Sequence, residues 1–514
     1  MEIYVGEYNR ESLDLKGKRI YLYDCTLRDG EQTPGVSFTQ NEKLEIAKAL
    51  DKLGIDVIEA GFPINSNPEF ETVKKIKELG LKTKISGLAR VIVEDIDACI
   101  KADVDIVHTF VSTSDLHLKY QMGKSEDEVY EMAVKAVEYI KKHGFKCVFS
   151  PMDATRSRFE YLLRVCKGAE EAGADYINVP DTVGVLHPPA TRQLFSKLKG
   201  KIKVPLQAHA HNDFGLAVAN SLAAVESGAE WVHVTVNGMG ERAGNASLEQ
   251  VAMSLHALYN AKTGIHAKHI YEVSQLVERY AETPLSLFTP IVGKNAFAHE
   301  SGIHAHAVLK KASTFEPLKP EDVGQKRRIV IGKHSGKAAI EQALKDLGYE
   351  KLEKAQLVDI TTKIKELAEK KKRIYDEDIV ALAEDALGQG REKPIVTLDE
   401  VTVTTGNKIR PSASVVIKYD DVLKAGAAQG VGPVDAAANA IQSILGKEHD
   451  IKLVEFSLRA ITGGTDALAD VTVRIADKNG NVFSGNAVNS DIVMASVEAV
   501  LRAINRAVSY SRKK

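Results

Sequence analysis

The sequence predicts an α/β protein in three parts: a (β/α)8 barrel, a helical stretch, and a C-terminal α/β domain with an internal repeat. Three observations lead there. Residues 19 to about 280 alternate short, apolar, β-branched runs with helical patterns, eight of each. Residues 286–392 read as helical and highly charged, and residues 395–514 read as two copies of one β-β-β-α unit. The implied domains are 1–285, 286–392 and 393–514. With 514 residues, 44% of them hydrophobic, the chain can fill two or three cores.

In order, the strand runs are Ile20 to Cys25, Val57 to Ala60, Thr83 to Gly87, Ile106 to Phe110, Lys146 to Ser150, Tyr176 to Val179, Val204 to Ala208 and Trp231 to Val236. Helical patterns such as NEKLEIAKALDKLG and SEDEVYEMAVKAVEYIKKHG follow them. An open doubly wound sheet is the second choice, but no GxGxxG opens a helix after the first strand. In a (β/α)8 barrel the strand C-terminal ends converge on one face. Polar residues stand there: Arg28, Asp29 and Gln32 after the first strand, Asp153 and Arg156 after the fifth, Asp181 and Thr182 after the sixth, His209 and His211 after the seventh, and Asn237 to Asn245 after the eighth.

Beyond the barrel, Lys326-Arg327-Arg328 forms a basic cluster, and Lys370 to Arg373 reads as a solvated face. In the repeat, VTLDEVTVTTGN, SASVVIKYDD and GVGPVDAAANAIQSIL are matched by KLVEFSLRAITGG, ADVTVRIADKNG and GNAVNSDIVMASVEAVLRAIN. Gly430 and Gly432 sit in a turn opening a helix, where backbone N–H groups can hold a small ligand, and Asn489-Ser490-Asp491 is placed to cap the second helix.

Lys plus Arg is 68 against Asp plus Glu 70, so the net charge of -2 gives no reason to expect nucleic acid or an anionic membrane. The four cysteines, Cys25, Cys99, Cys147 and Cys166, have no Cys-x-x-Cys spacing, which excludes a disulfide scaffold. The charged start MEIYVGEYNRESLDLKGK lacks an apolar core, and no run approaches a membrane span. A soluble, cytoplasmic protein acting on small molecules is the expectation.

Chemistry concentrates at His209-Ala210-His211-Asn212-Asp213. In an extended segment, residues i and i+2 face the same way, so two imidazoles reach one point. With Asp29 and Asn245 they form a mixed O/N set suited to Zn²⁺, Mn²⁺, Co²⁺ or Mg²⁺. Arg28 beside Asp29 can neutralise a carboxylate or enolate, and Thr182 can bond a second oxygen. A metal chelated by a 2-oxo acid polarises its carbonyl for attack.

These residues carry a resemblance. Leu27-Arg28-Asp29-Gly30-Glu31-Gln32, the His209-x-His211-Asn212-Asp213 stretch and Gly238-Met239-Gly240-Glu241-Arg242-Ala243-Gly244-Asn245 resemble the signature motifs of the 2-isopropylmalate synthase, citramalate synthase and homocitrate synthase family. The likeness continues through AFAHESGIHAH and GKHSGKAAI into a C-terminal domain similar to the family's amino-acid-binding dimer domain. It implies a metal-dependent Claisen condensation: acetyl-CoA loses a methyl proton, the enolate attacks a metal-bound 2-oxo acid, and the thioester is hydrolysed. The resemblance assigns Asp29, His209, His211 and Asn245 to the metal, and Arg28 and His304 to catalysis, while Asp153, water or a further residue is left to cover proton transfer. Arg28, Thr182, Ser150 and His108 go to the oxo acid, Asn237, Gly240 and Glu241 to acetyl-CoA, and Gly430, Gly432 and Asp491 to the effector. A homodimer is implied as well.

Two positions depart from the family pattern. Met152 stands where a glutamate precedes Asp-Ala-Thr-Arg, and Phe315 where many members have tyrosine. Neither side chain can move a proton. Gly61-Phe62-Pro63 and the small Ser150 resemble the isopropylmalate synthases, implying 2-oxoisovalerate as substrate and leucine as inhibitor. A citramalate synthase using pyruvate, or a catalytically impaired amino-acid sensor, are the alternatives.

Overall fold

The computed structural model describes residues 6–11, 15, 17–349, 352–370, 374, 376–387, 394–445, 452–460, 468–478 and 480–513. It divides into two compact units, residues 1–298 with 311–328, and residues 299–310 with 329–514. Among the described residues, no helix is long and apolar enough to cross a membrane.

The first unit is a closed parallel barrel of eight strands in sequential order, β1 (Tyr21–Asp24), β2 (Val57–Gly61), β3 (Lys84–Arg90), β4 (Ile106–Ser112), β5 (Lys146–Met152), β6 (Tyr176–Asp181), β7 (Leu206–Ala210) and β8 (Trp231–Val234). β8 closes onto β1 with Tyr21 opposite Trp231 and Asp24 opposite Val234. Several of the helices between strands start where the chain supplies side-chain caps. Thr39 with Glu42 forms a capping box for Gln40–Leu53, and Ser125 with Glu128 does so for Glu126–Lys142. Their buried faces, for example Ile46, Leu50, Val129, Ala133 and Ile140, pack outside the strands.

Side-chain alternation sorts the barrel interior into layers. The lower layer is apolar, with Val57, Ile106, Val148 and Trp231 in one cluster and Tyr21 stacked on Trp231 at 4.5 Å between ring centroids. The layer above is polar: Tyr23, Glu59, Ser86, His108, Ser150, Asn178, Gln207 and His233 are all buried. Hydrogen bonds within the layer join Tyr23 to Ser86, Glu59 to His108, and Gln207 to His233.

Several expected boundaries move. The seventh strand begins at Leu206, not Val204, because Pro205 has no N–H to give the ladder. His209 therefore lies inside β7 and His211 just beyond it. β5 runs on to Met152, making that residue the strand's last, and β6 includes Asp181. Residues 286–297 are turns rather than helix, interrupted by Pro290 and Gly293, and lead to a short pair, β9 (Ala298–His299) with β10 (Arg328–Ile329). Arg327 of the expected basic cluster is paired with buried Glu316 at 2.6 and 2.7 Å. Residues 371–373 and 391–393, where a charged face and a boundary were expected, lie outside the described residues.

In the second unit, helices Gly302–Lys310, Lys337–Asp346, Lys354–Lys370 and Asp376–Ala386 share a core that includes Ala305, Ile340, Leu344, Ile360, Ile364 and Ile379. The repeat is present: β11 (Val396–Gly406), β12 (Ile409–Tyr419) and β13 (Val422–Gln429) precede helix Pro433–Leu445, and β14 (Lys452–Ala460), β15 (Ala469–Ala476) and β16 (Val482–Asn489) precede helix Ile492–Lys513. The two sheets share details. Each first strand has a register shift near its start, at Leu398/Glu400 and at Leu453/Glu455. Each third strand carries a glycine against its helix, with a Cβ on Gly426 falling 2.8 Å from the Ala440 carbonyl oxygen and one on Gly485 falling 2.0 Å from that of Ala499. The same glycine-to-alanine offset recurs in both halves.

That close approach sets an expected outcome: Gly485→Ala forces the helix off the sheet and destabilises the domain by about 1–3 kcal/mol. Denaturant unfolding of the purified protein checks it, and an unchanged midpoint contradicts it.

Candidate metal and oxo-acid site

The site is built from three chain segments at the strand C-terminal ends. The β1 loop turns at once into a short helical turn, Gly30–Gln32, which leaves Asp29 buried at 2% exposure. β7 delivers His209, and an isolated backbone bridge between His211 and Asn245 brings the β8 loop alongside. That loop is cinched by Asn212 N–H donating to the Gly244 carbonyl at 2.9 Å and Asn245 N–H to the Gly238 carbonyl at 3.0 Å. Gly240, at φ +148°, has no room for a side chain: a Cβ would lie 2.1 Å from Asn245 Nδ2.

Asp29, His209 and His211 place one ligand atom each within 4.8 Å of one another. The two Nε2 atoms are 3.3 Å apart, and Asp29 Oδ2 is 3.5 Å from that of His209 and 3.9 Å from that of His211. Asn245 Nδ2 donates to Asp29 Oδ1 at 3.1 Å and to the Met239 carbonyl at 3.0 Å, while its buried Oδ1 has no hydrogen-bond partner. Burial, with the neighbouring His211, holds His209 down to about 3. Burial likewise lowers His211. Burial alone would raise the Asp29 carboxyl, but Arg28 and the two histidines outweigh it and bring it below its ordinary value. A carboxylate, two neutral imidazoles and an unpaired amide oxygen converging on one point fit a divalent cation.

Beside this set lies a residue that pattern reading passed over. Glu59, fully buried in β2, accepts from Arg28 Nε at 2.6 Å and is 2.6 Å from His108 Nδ1. Burial pushes its carboxyl up, but Arg28 and His108 prevail and hold it well below the usual carboxylate range. The signal was there: an acid inside the otherwise apolar run Val57-Ile58-Glu59-Ala60-Gly61. Arg28 also donates to Asp29 Oδ2 at 2.8 Å, so its guanidinium is clamped between two carboxylates. With Nδ1–H facing Glu59, His108 Nε2 accepts the Ser150 hydroxyl at 2.7 Å, and Ser150 Oγ accepts Asn178 Nδ2 at 2.8 Å. The wall formed by His108, Ser150 and Asn178 is thus polar.

The other expected residues fall in several places. Thr182 Oγ1 accepts the Asp153 N–H at 2.9 Å. Asp153 itself, buried at φ +63°, is engaged by Arg156 at 2.8 and 3.0 Å and by the Ser114 hydroxyl. The Asn237 side chain exchanges both its amide ends with Ser274, and Gly240 N–H donates to Thr33, whereas Glu241 is exposed. Met152 is half-buried, and Phe315 is 43% exposed beside the Glu316–Arg327 pair. In the second unit, His304 is exposed on helix Gly302–Lys310 with its ring 6.4 Å from that of His299. Asp491 Oδ1 caps helix Ile492–Lys513 by accepting from Val493 and Met494, and Gly430 N–H donates to the Pro411 carbonyl. Gly432 O accepts the Ala436 N–H.

Gly240→Ala drives a methyl group into the Asn245 amide, so affinity for Mn²⁺ or Zn²⁺ falls by about 10–100-fold. Titration calorimetry on the metal-depleted protein reads this, and an unaltered affinity removes Asn245 from the cation site.

Comparison with known proteins bears on all of this geometry. Residues 19–277 match the HMGL-like family model, residues 291–372 the homocitrate synthase post-HMGL domain-like model, and residues 373–508 the LeuA allosteric (dimerisation) domain. The chain is 53% identical to the 2-isopropylmalate synthase of Methanocaldococcus jannaschii over 96% of both chains, and 52% identical to a probable 2-isopropylmalate synthase of Methanosarcina mazei over 96% of both. It is 48% identical to the (R)-citramalate synthase of M. jannaschii over 95% of this chain and 99% of that one. A barrel with this site, matched along nearly its whole length, belongs to the HMGL-like family of acyl-transferring synthases, in the group of the 2-isopropylmalate synthases.

Proposed function

We propose that the chain condenses acetyl-CoA with 2-oxoisovalerate, giving 2-isopropylmalate and CoA, under feedback control by leucine. The observation that carries this reading is the 53% identity to a 2-isopropylmalate synthase over 96% of both chains, laid on the converging Asp29, His209, His211 and Asn245. A soluble, cytoplasmic homodimer fits the low net charge and the match to a dimerisation domain. We divide it into a catalytic part to about 285, helical subdomains to about 392 and a regulatory part beyond.

Asp29, His209, His211 and Asn245 would hold Zn²⁺, Mn²⁺, Co²⁺ or Mg²⁺. A divalent cation there supplies Lewis-acid polarisation of a keto group. The chain's own residues do the rest. Arg28, fixed by Asp29 and Glu59, turns its remaining N–H donors toward the carboxylate and the charge that develops on enolisation. Thr182 donates its hydroxyl to a second oxygen of the oxo acid. His108 and Ser150, locked by Glu59 and Asn178, form the wall against the side chain. Acetyl-CoA lies along the β8 loop at Gly240 and Glu241, which Asn237 holds in shape through Ser274, and the assignment of His304 to its activation rests on the family resemblance alone. Asp153, held by Arg156 and the Ser114 hydroxyl, is the acid of the catalytic set. Leucine is read at the turn of Gly430 and Gly432 and at the helix start of Asp491.

CoA release followed with a thiol reagent tests the reading. Given acetyl-CoA and Mn²⁺ or Zn²⁺, the protein should turn over 2-oxoisovalerate in preference to pyruvate, 2-oxoglutarate and oxaloacetate, and added leucine should lower the rate. Preference for pyruvate selects the citramalate reading, which the 48% identical (R)-citramalate synthase favours. Absence of release with every acid selects the impaired sensor that Met152 brings into view.

Two variants follow. His209→Ala removes one of the two imidazoles from the set, leaving Asp29, His211 and Asn245 to hold the cation, and turnover is lost. Arg28→Lys keeps the charge but gives up the fork between Asp29 and Glu59, so kcat falls by about 10²–10³-fold, the scale of one lost transition-state donor. Steady-state kinetics check both.

A further inference from the structure

The condensation removes a proton from the acetyl methyl group, so a base must stand near the barrel mouth. Met152, the last residue of β5, cannot serve. Among the described residues, the other buried or half-buried acids and imidazoles on these strand ends are committed, Asp24 to the Thr26 N–H and hydroxyl first of all. Glu59 is held by Arg28 and His108, Asp181 by Thr155 and the N–H groups of Val185 and Leu186, and Asp213 by Arg242. His108 is spent on Glu59 and Ser150, and His233 on Gln207 and Cys25. His209 and His211 belong to the cation set.

His117 stands apart. It ends the short turn Asp115–His117 after β4, and a π-helical turn, Leu118–Met122, follows at once, a geometry that recurs at functional sites. Its ring is partly exposed, with the side chain at 23%. Nε2 lies 3.8 Å from Asp153 Oδ2, while Nδ1, shielded from solvent, has no hydrogen-bond partner. Ser114 fixes both members of this pair: its Oγ accepts the His117 N–H at 3.3 Å and its hydroxyl donates to Asp153. The same loop grips the end of β5, because Thr113 donates from N and Oγ1 to the Met152 carbonyl at 3.0 and 3.2 Å. A carboxylate, an imidazole with one uncommitted lone pair, and the vacant acid position at Met152 thus share one corner of the barrel rim.

We propose that His117 is the proton acceptor of the condensation, oriented by Asp153, in the corner where Met152 offers no base. The proposal rests on the synthase reading. The imidazole nitrogen takes the methyl proton of acetyl-CoA, and the C–H electron pair passes into the enolate. The enolate carbon then bonds to the keto carbon of the oxo acid, whose C=O π pair moves to oxygen. The imidazolium returns its proton to that alkoxide, so His117 ends neutral, and water afterwards splits the thioester to a carboxylate and CoA.

The test compares the full-length protein with His117→Gln, Met152→Glu and the double variant, using CoA release with 2-oxoisovalerate and Mn²⁺, and Mn²⁺ titration and thermal melting as controls for the site and the fold. His117→Gln should lower kcat by about 100-fold or more, the scale of a lost general base, with KM for the oxo acid and Mn²⁺ affinity nearly unchanged. Met152→Glu in that background should restore at least about tenfold of the loss, because a carboxylate there replaces the missing base. A His117→Gln enzyme within about threefold of the unsubstituted protein overturns the proposal. So does a loss that Met152→Glu leaves unrepaired, since His117 would then only support its loop. If the unsubstituted protein releases no CoA with any oxo acid, the synthase reading itself falls and takes this proposal with it.

Discussion

A negative charge sealed inside a closed barrel is the constraint on which the rest of the first unit depends. Glu59 has no exposure, and an unpaired carboxylate in such a place costs several kcal/mol after relaxation. The chain answers with a guanidinium and an imidazole, and each answer fixes something further. Arg28 is drawn between Glu59 and Asp29, which orients the carboxylate of the cation set. His108 is set with Nδ1–H toward Glu59, which dictates that Ser150 donates to Nε2 and accepts from Asn178. One buried acid thereby settles both the Asp29 side and the Ser150–Asn178 side of the mouth.

Above this layer, precision comes from the backbone rather than from further charges. The His211–Asn245 bridge and the loop hydrogen bonds carry Asn245 to Asp29, and the bare Cα of Gly240 leaves the space its amide fills. The two imidazoles remain neutral because they are buried, so their lone pairs stay available to a cation. Stability and function pull in opposite directions here. Two Nε2 atoms at 3.3 Å and an unpaired amide oxygen are costly without a ligand and favourable with one.

The second unit follows other rules. Its two β-β-β-α halves bury Ala-rich helix faces on antiparallel sheets, and small residues on both sides allow the close contact. Asp491 and the turn at Gly430 are first of all caps and turn closures, with hydrogen bonds to Val493, Met494 and Pro411. Any ligand read there adds to groups that already hold the domain's helix ends.

Strict alternation of strand and helix patterns made the barrel legible, because burial on both faces of a parallel strand leaves a continuous apolar run. His-x-His and the Arg-Asp pair were legible as well, since spacing along a strand is enough to bring two side chains to one side. The repeat could be read from its recurring strands and alanine-rich helices. Glu59 was marked only as an acid inside an apolar run, and His117 by nothing local. Each acquires its meaning from partners distant in sequence, Arg28 and His108 for the one and Asp153 for the other. Asp153, read as catalytic, and Asn237, read as an acetyl-CoA contact, are engaged by Ser114 and Arg156 and by Ser274, contacts that no local pattern encodes. Elements and ligand types can be read along the chain, because they depend on periodicity and residue chemistry. Which acids are paired, which nitrogens stay free and where each strand stops were decided only by closure of the barrel, because hydrogen-bond partners are set by distance in space.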